Sequence, residues 1–402
     1  MSGPRPGRRR TTARVGPLAA RLTDIPHLDV DALLDNPRIG IVVCCGSGGV
    51  GKTTTAAALG LRAAERGRSV VLLTIDPAKR LAQSMGLNHL DNTPRPVQDV
   101  DTRPGGSLDA MMLDMKRTFD EVVEGHASPE KARQILDNPF YQALSSSFAG
   151  TQEYMAMEKL AQLHKDAQQD DRWDLIVVDT PPSRSALDFL DAPERLSSLL
   201  DGRFIKLLVA PAKGPVRLFS VGMNVVTGTL TRILGSQVLR DVQTFVAAFD
   251  TLFGGFRQRA ERTYQLLRAP ETAFVVVAAP EPDALREAAY FVERLDRERM
   301  PLSGLVLNRM TGTPVASLSA DRAASAADEI AEQHPVTAGL LRLHAERLRL
   351  VAREHQLTRR FAAAHPQVSV VSVASLPTDV HDIDGLRLVG TLVAMPQSGS
   401  AA

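Results

Sequence analysis

The stretch VVCCGSGGVGKTTTAAALG, Val42–Gly60, constrains this chain more than any other. An apolar run leads into a turn rich in glycine, and a helix-forming Thr/Ala run follows. The turn reads Gly46-x-x-x-x-Gly51-Lys52-Thr53, the spacing of a loop that wraps phosphate groups. Glycines let the backbone curl until its N–H groups surround the phosphate oxygens. The positive end of the next helix adds to the cradle. In such a loop Lys52 bridges the β- and γ-phosphates, and Thr53 offers its hydroxyl to Mg²⁺.

The apolar run before the loop, Arg38–Cys45, is continuous, as in a parallel strand buried on both faces. Further runs predict strands at Ser69–Asp76, Leu108–Asp114, Trp173–Thr180, Ala273–Pro280, Leu302–Asn308 and Val368–Val373. Helical patterns separate most of them, beginning with Thr53 to about Arg66. The alternation predicts an α/β fold, a doubly wound and mostly parallel sheet. Two long stretches, 115–171 and 184–270, break the rhythm and read as insertions that build one helical lobe. The expected organisation is a basic disordered tail over 1–35 and a core over 36–114, 172–183 and 271–392. The two insertions interrupt that core, and a frayed end covers 393–402. Cys44 and Cys45 are the only cysteines and adjoin on one strand, so they read as small core residues rather than a disulfide or a zinc site.

The formal net charge of +1 gives no broad basic field for nucleic acid. Arg8–Arg10 are followed by no apolar segment of an export signal, because Arg14 and Arg21 interrupt it. The longest uncharged apolar candidate, Leu218–Thr231, is shorter than the roughly 18–20 residues of a membrane span. These features place the protein in the cytoplasm, with no permanent span.

Two carboxylates end predicted strands. Asp179 stands where a carboxylate holds Mg²⁺ beside a phosphate loop. Asp76, in TIDPAKRL, faces the same crevice at the C-terminal sheet edge and suits the orientation of an attacking water.

GSGGVGKTTTAAALGLRAAERGRSVVLLTIDPAKRLAQSMG resembles the ArsA/Get3 group of ATPases, within the class that includes MinD and ParA proteins. DPAKRL is similar to that group's first switch and DTPPSRSALDFL to its second. APEPDALREAAYFVERL with GLVLNRM resembles its Glu-bearing and Asn-bearing strands, and SLPTDVHDIDGLRLV its closing segment. The likeness spans about Ile39 to Val389 and looks nearest to actinobacterial members with one ATPase domain, which tend to occur as paralogous pairs. It implies ATP and Mg²⁺ as ligands and a dimer, either of identical chains or with a paralogue. Gly48, Gly49, Val50, Gly51, Lys52, Thr53 and Thr54 would bind phosphate. Thr53 and Asp179 would serve Mg²⁺, and Asp76 would polarise the lytic water. Asn308 would read the adenine edge, Glu281 would be linked to the nucleotide, and Pro377 would flank the base. LNRM lacks the Lys-x-Asp that follows Asn in guanine-reading loops.

Three departures from the group's pattern carry weight. Its usual lysine at the second loop position, which reaches the partner's phosphates, is Ser47 here. Its second switch runs Thr-Gly-His, and here it runs Ser183-Arg184-Ser185. Arg184 is therefore a candidate for spreading charge over the transition state. Its equal alternative is a surface ion pair with Asp188. The group's zinc-binding Cys pair is absent. The expected function is a Mg-dependent ATPase that couples hydrolysis to movement of the dimer and its lobes. The alternative is a hydrolysis-poor ATP-binding subunit beside a lysine-bearing paralogue. The apolar, Met-bearing stretch Val216–Leu239 suits an apolar protein cargo as well as ordinary lobe packing.

Overall fold

The computed structural model describes residues 25–76, 80–87, 89–139, 141–142, 145, 151–170, 172–181, 258–312 and 317–395. Eight strands lie among them: β1 Ile41–Cys45, β2 Ser69–Thr74, β3 Arg95–Pro96, β4 Ser107–Met112, β5 Leu175–Asp179, β6 Thr272–Ala278, β7 Leu302–Met310 and β8 Val370–Ala374. They form one sheet in the order β3-β4-β2-β5-β1-β6-β7-β8. Seven strands run parallel, and β3 alone is antiparallel to its neighbour β4. The doubly wound sheet read from the sequence is therefore present. β3 was not expected. It has two residues, too few for a periodic signal, and Pro96 is tolerated because the strand lies at the sheet edge.

Successive side chains on a strand point to opposite faces, so each central strand feeds two cores. Ile41, Val43 and Cys45 join Val71, Leu73, Ile176 and Val178 on one face. The helices Met115–His126, Thr151–Asp170 and Pro282–Arg297 cover it through Phe119, Val123, Leu160, Phe291 and Leu295. Val42 and Cys44 join Val70, Leu72 and Val177 on the other face. That face is covered by the helices Lys52–Ala64 and Ile383–Ala394, through Leu59, Leu61, Leu386 and Val393. Both cysteines are free and fully buried, as expected. Burial pushes the Cys45 thiol up to about 12 and the Cys44 thiol well above its usual range.

The N-terminal boundary differs from the expected one. Residues 25–35 are packed against the sheet rather than part of a tail. Val370 N–H donates to the Pro26 carbonyl at 2.7 Å. A short helix, Val30–Asp35, buries Val30 and Leu34 and is capped by the Asp29 side chain. Arg62 pairs with Asp31 and Arg66 with Asp35, which fixes this helix to Lys52–Ala64. The hydrophobic positions here are too few for a periodic pattern, and the surrounding charges resemble those of a solvated tail. A second unexpected element is a helical pair between β7 and β8, Ala320–Ile330 and the 30-residue Pro335–Ala364.

Within the first insertion, Met115–His126, Pro129–Leu136 and Thr151–Asp170 are helical. Of the second, the described part is a helix over 258–268. Arg259 pairs with the buried Glu158 of Thr151–Asp170 at 2.9 Å, which joins the two insertions. Arg184 and the segment Val216–Leu239 lie outside the described residues.

Candidate nucleotide site

The order of the strands reverses around β1, which lies between β5 and β6. In an open parallel sheet the ligand crevice opens beyond the C-terminal strand ends at such a point. The glycine-rich loop leaves β1 there and enters the helix Lys52–Ala64. Two glycines are required by close approach. A Cβ on Gly46, at φ 149°, would lie 2.1 Å from the Val277 carbonyl of β6. One on Gly51, at φ 94°, would lie 2.2 Å from the Asn308 amide nitrogen of β7. The loop is thus seated against two strands, and Gly48 and Gly49 face outward between these supports.

Lys52 is buried and folds back over the loop, its Nζ donating to the Ser47 carbonyl at 2.8 Å. Burial pushes its ammonium below the usual range, and the nearby Asp179 opposes that shift. Asp179 ends β5 with no exposure to solvent. Its Oδ2 accepts from the Thr74 hydroxyl at 2.9 Å, whereas Oδ1 is buried with no hydrogen-bond partner among the described residues. Burial raises this carboxyl to about 6. The Thr53 and Thr74 hydroxyls and Lys52 pull it down, and Asp76 adds to the rise. Thr54 is half-buried beside Thr53.

Thr74 is the residue that sequence reading missed. Its hydroxyl also accepts from the Asp76 N–H at 3.2 Å, so one buried side chain ties the ends of β2 and β5 together. Its only signal was a hydroxyl two residues before Asp76, which reads as an ordinary strand residue. Glu281 precedes the helix Pro282–Arg297 after β6, and Pro377 follows β8; both are exposed at the C-terminal sheet edge. Asn308 is drawn onto the loop itself, donating to the Val50 carbonyl at 2.9 Å.

The donor set suits a hard divalent cation. Thr53 and Asp179 supply oxygen only, and the unpartnered Oδ1 is the polar atom such an ion would satisfy. Lys52 adds the positive charge that a polyphosphate needs. Residues 39–326, carrying all of this except the Pro377 loop, match the family model of anion-transporting ATPases.

The chain belongs to that family.

It is accordingly an ATP hydrolase of the ArsA/Get3 type. The ATPase is 26% identical over 287 residues to the ATPase GET3 of Malassezia globosa, covering 71% of this chain and 77% of that relative. It is 25% identical over 280 residues to the ATPase GET3 of Ajellomyces dermatitidis, covering 69% and 75%. Over 268 residues it is 26% identical to the ATPase ASNA1 homolog of Cryptosporidium parvum, covering 66% and 63%. Among the described residues of this ATPase, no helix is long and apolar enough to cross a membrane.

Proposed function

We propose that the chain is a cytoplasmic, Mg-dependent ATPase switch in which binding and hydrolysis of ATP move a dimer and its helical lobes. The observation that carries this reading is the buried, half-satisfied Asp179 facing Lys52 and Thr53 across the end of β5. Lys52 leaves the Ser47 carbonyl and takes the β- and γ-phosphates. Thr53 and Asp179 would hold Mg²⁺, which when bound would supply positive charge to the transferring phosphoryl group. Asp76 orients the water that attacks the γ-phosphorus and accepts its proton as the bond to ADP breaks. Glu281 and Pro377 line the nucleoside, and Arg184 adds charge to the phosphates. The insertions over 115–171 and 184–270 form the lobe, with Val216–Leu239 as the surface for an apolar protein cargo.

A second reading has its own observation. Ser47 is buried, and its carbonyl is spent on Lys52. The chain therefore extends no cation from that position to a neighbour. In a dimer with a lysine-bearing paralogue it would receive charge and return none, and would serve as a hydrolysis-poor subunit.

Steady-state ATP turnover by the purified chain, alone and mixed with such a paralogue, separates the two. Turnover alone that vanishes in Asp76→Asn supports the switch. ATP binding without turnover, restored only in the mixture, supports the subunit. Absence of ATP binding in either preparation would sink both.

A further inference from the structure

β7 does not end as a regular strand. Between Leu307 and Met310 it carries one residue more than β8 opposite, a bulge. Arg309 in that bulge has φ 63°, a left-handed conformation that a long side chain seldom adopts. Such strain persists only where its surroundings impose it. Three contacts impose it here. The Arg309 N–H donates to the Asn308 Oδ1 at 3.0 Å. Ser375 N–H donates to the Met310 carbonyl at 2.8 Å on the far side. Glu354, buried in the helix Pro335–Ala364, accepts from both the N–H and the hydroxyl of Thr311, each at 2.7 Å.

The bulge aims Asn308 at the phosphate loop. Its Nδ2 reaches the carbonyl of buried Val50, and the side chain occupies the space a Cβ on Gly51 would need. The two contacts also fix the amide's orientation, because the carbonyl demands the nitrogen and the N–H demands the oxygen.

We propose that Asn308 is a positioning residue for the phosphate loop, a brace that presets the Val50–Gly51 peptide for a polyphosphate and is anchored through the Arg309 bulge by Thr311 and Glu354. This inference rests on the ATPase reading. It gives Asn308 a role toward the phosphates beside the base contact that the family resemblance implies. The brace acts on the loop backbone, so it bears on any ligand that fills the loop.

Calorimetric titration with ATP, GTP and inorganic tripolyphosphate, each with Mg²⁺, tests it. In Asn308→Ala the affinities for ATP and for tripolyphosphate both fall, by about tenfold or more, and GTP follows them. Asn308→Asp keeps the acceptor for Arg309 but sets an oxygen against the Val50 carbonyl. It gives the same joint loss should the alanine variant fail to fold. Glu354→Gln, placed away from any nucleotide, shifts both affinities the same way by about threefold. A loss confined to the nucleotides, with tripolyphosphate unchanged, would overturn the brace and leave Asn308 to the base alone. The ATPase reading would survive that result. It fails separately if the unaltered chain binds neither ATP nor tripolyphosphate.

Discussion

Two buried charges at opposite edges of the sheet, Arg68 and Asp179, are held in opposite ways. At the N-terminal edge, before β2, Arg68 makes five hydrogen bonds, to Asp174 Oδ1 and to the carbonyls of Leu34, Asn36, Ile39 and Asp174. It ties the first helix to the starts of β1 and β5. At the C-terminal edge Asp179 is more deeply buried, yet among the described residues one of its oxygens has no partner, and Lys52 donates only to a carbonyl of its own loop. Arg309 there keeps a strained backbone. A saturated charge stabilises the fold. A charge left short is a cost carried for a ligand that has yet to arrive. Substitutions at the first edge should therefore damage stability and spare turnover, and those at the second should do the reverse.

The largest separation is expected at Asp179. Asp179→Asn removes the carboxylate while keeping the shape, and Mg-dependent ATP turnover should fall by about 10³-fold. The ligand-free chain should become more stable, by about 1–3 kcal/mol in urea titration, because a buried and incompletely paired charge is gone. A loss of stability would break the comparison. Arg68→Ala is its mirror image. It leaves several carbonyls and Asp174 without their donor and should cost about 3 kcal/mol. Turnover measured well below the unfolding temperature should stay within about twofold of the original.

How far the sequence revealed these edges depended on periodicity and spacing. Long apolar runs such as Val42–Cys45 and Leu175–Val178 marked their strands, because burial on both faces leaves no polar position. Lys52 and Thr53 were legible from the loop spacing, and Asp179 and Asp76 from their place at strand ends. Arg68, Thr74 and the bulge were not legible. An arginine before a strand is ordinary in a sequence, and its five acceptor atoms come from two distant segments, 34–39 and Asp174. Thr74 is one hydroxyl in an apolar run, and its importance arises only when β5 lies beside β2. Arg309 looks like a surface residue until the register against β8 shows the extra position. Asn308 was read as a base contact from resemblance, and its bond to Val50 appears only with the fold.

Thr74 tests the comparison at smaller scale. Thr74→Val keeps the volume but removes the hydroxyl that donates to Asp179 Oδ2, and turnover should fall about tenfold. That hydroxyl also restrains the carboxyl's rise, so its loss should move the acid limb of Mg-dependent ATP binding to higher pH. Thr74→Ser should restore both, a rescue that a packing role alone would not give. In the original chain, proton and Mg²⁺ compete for Asp179. With the carboxyl at about 6, Mg-dependent affinity should be about tenfold lower at pH 5 than at pH 7. Stability runs the other way. A folded-state value raised above 3.8 means that the native chain takes up protons more readily than the unfolded one. The destabilisation from this group is therefore full above about pH 6 and fades as pH falls toward 3.8. Asp179→Asn should erase that component from a series of urea titrations at different pH.

The smallest effect belongs to the strained bulge. A left-handed conformation costs a branched or long residue about 1 kcal/mol, and glycine adopts it freely. Arg309→Gly should therefore raise stability by about 0.5–1 kcal/mol, with glycine's greater freedom in the unfolded chain limiting the gain. The same freedom loosens the turn that aims Asn308, so affinity for tripolyphosphate should fall by about twofold even as the fold gains. Stability and ligand binding moving in opposite directions is the signature of the C-terminal edge. Joint improvement of both would place Arg309 with Arg68, as a purely structural residue, and would show that its strain serves nothing at the loop.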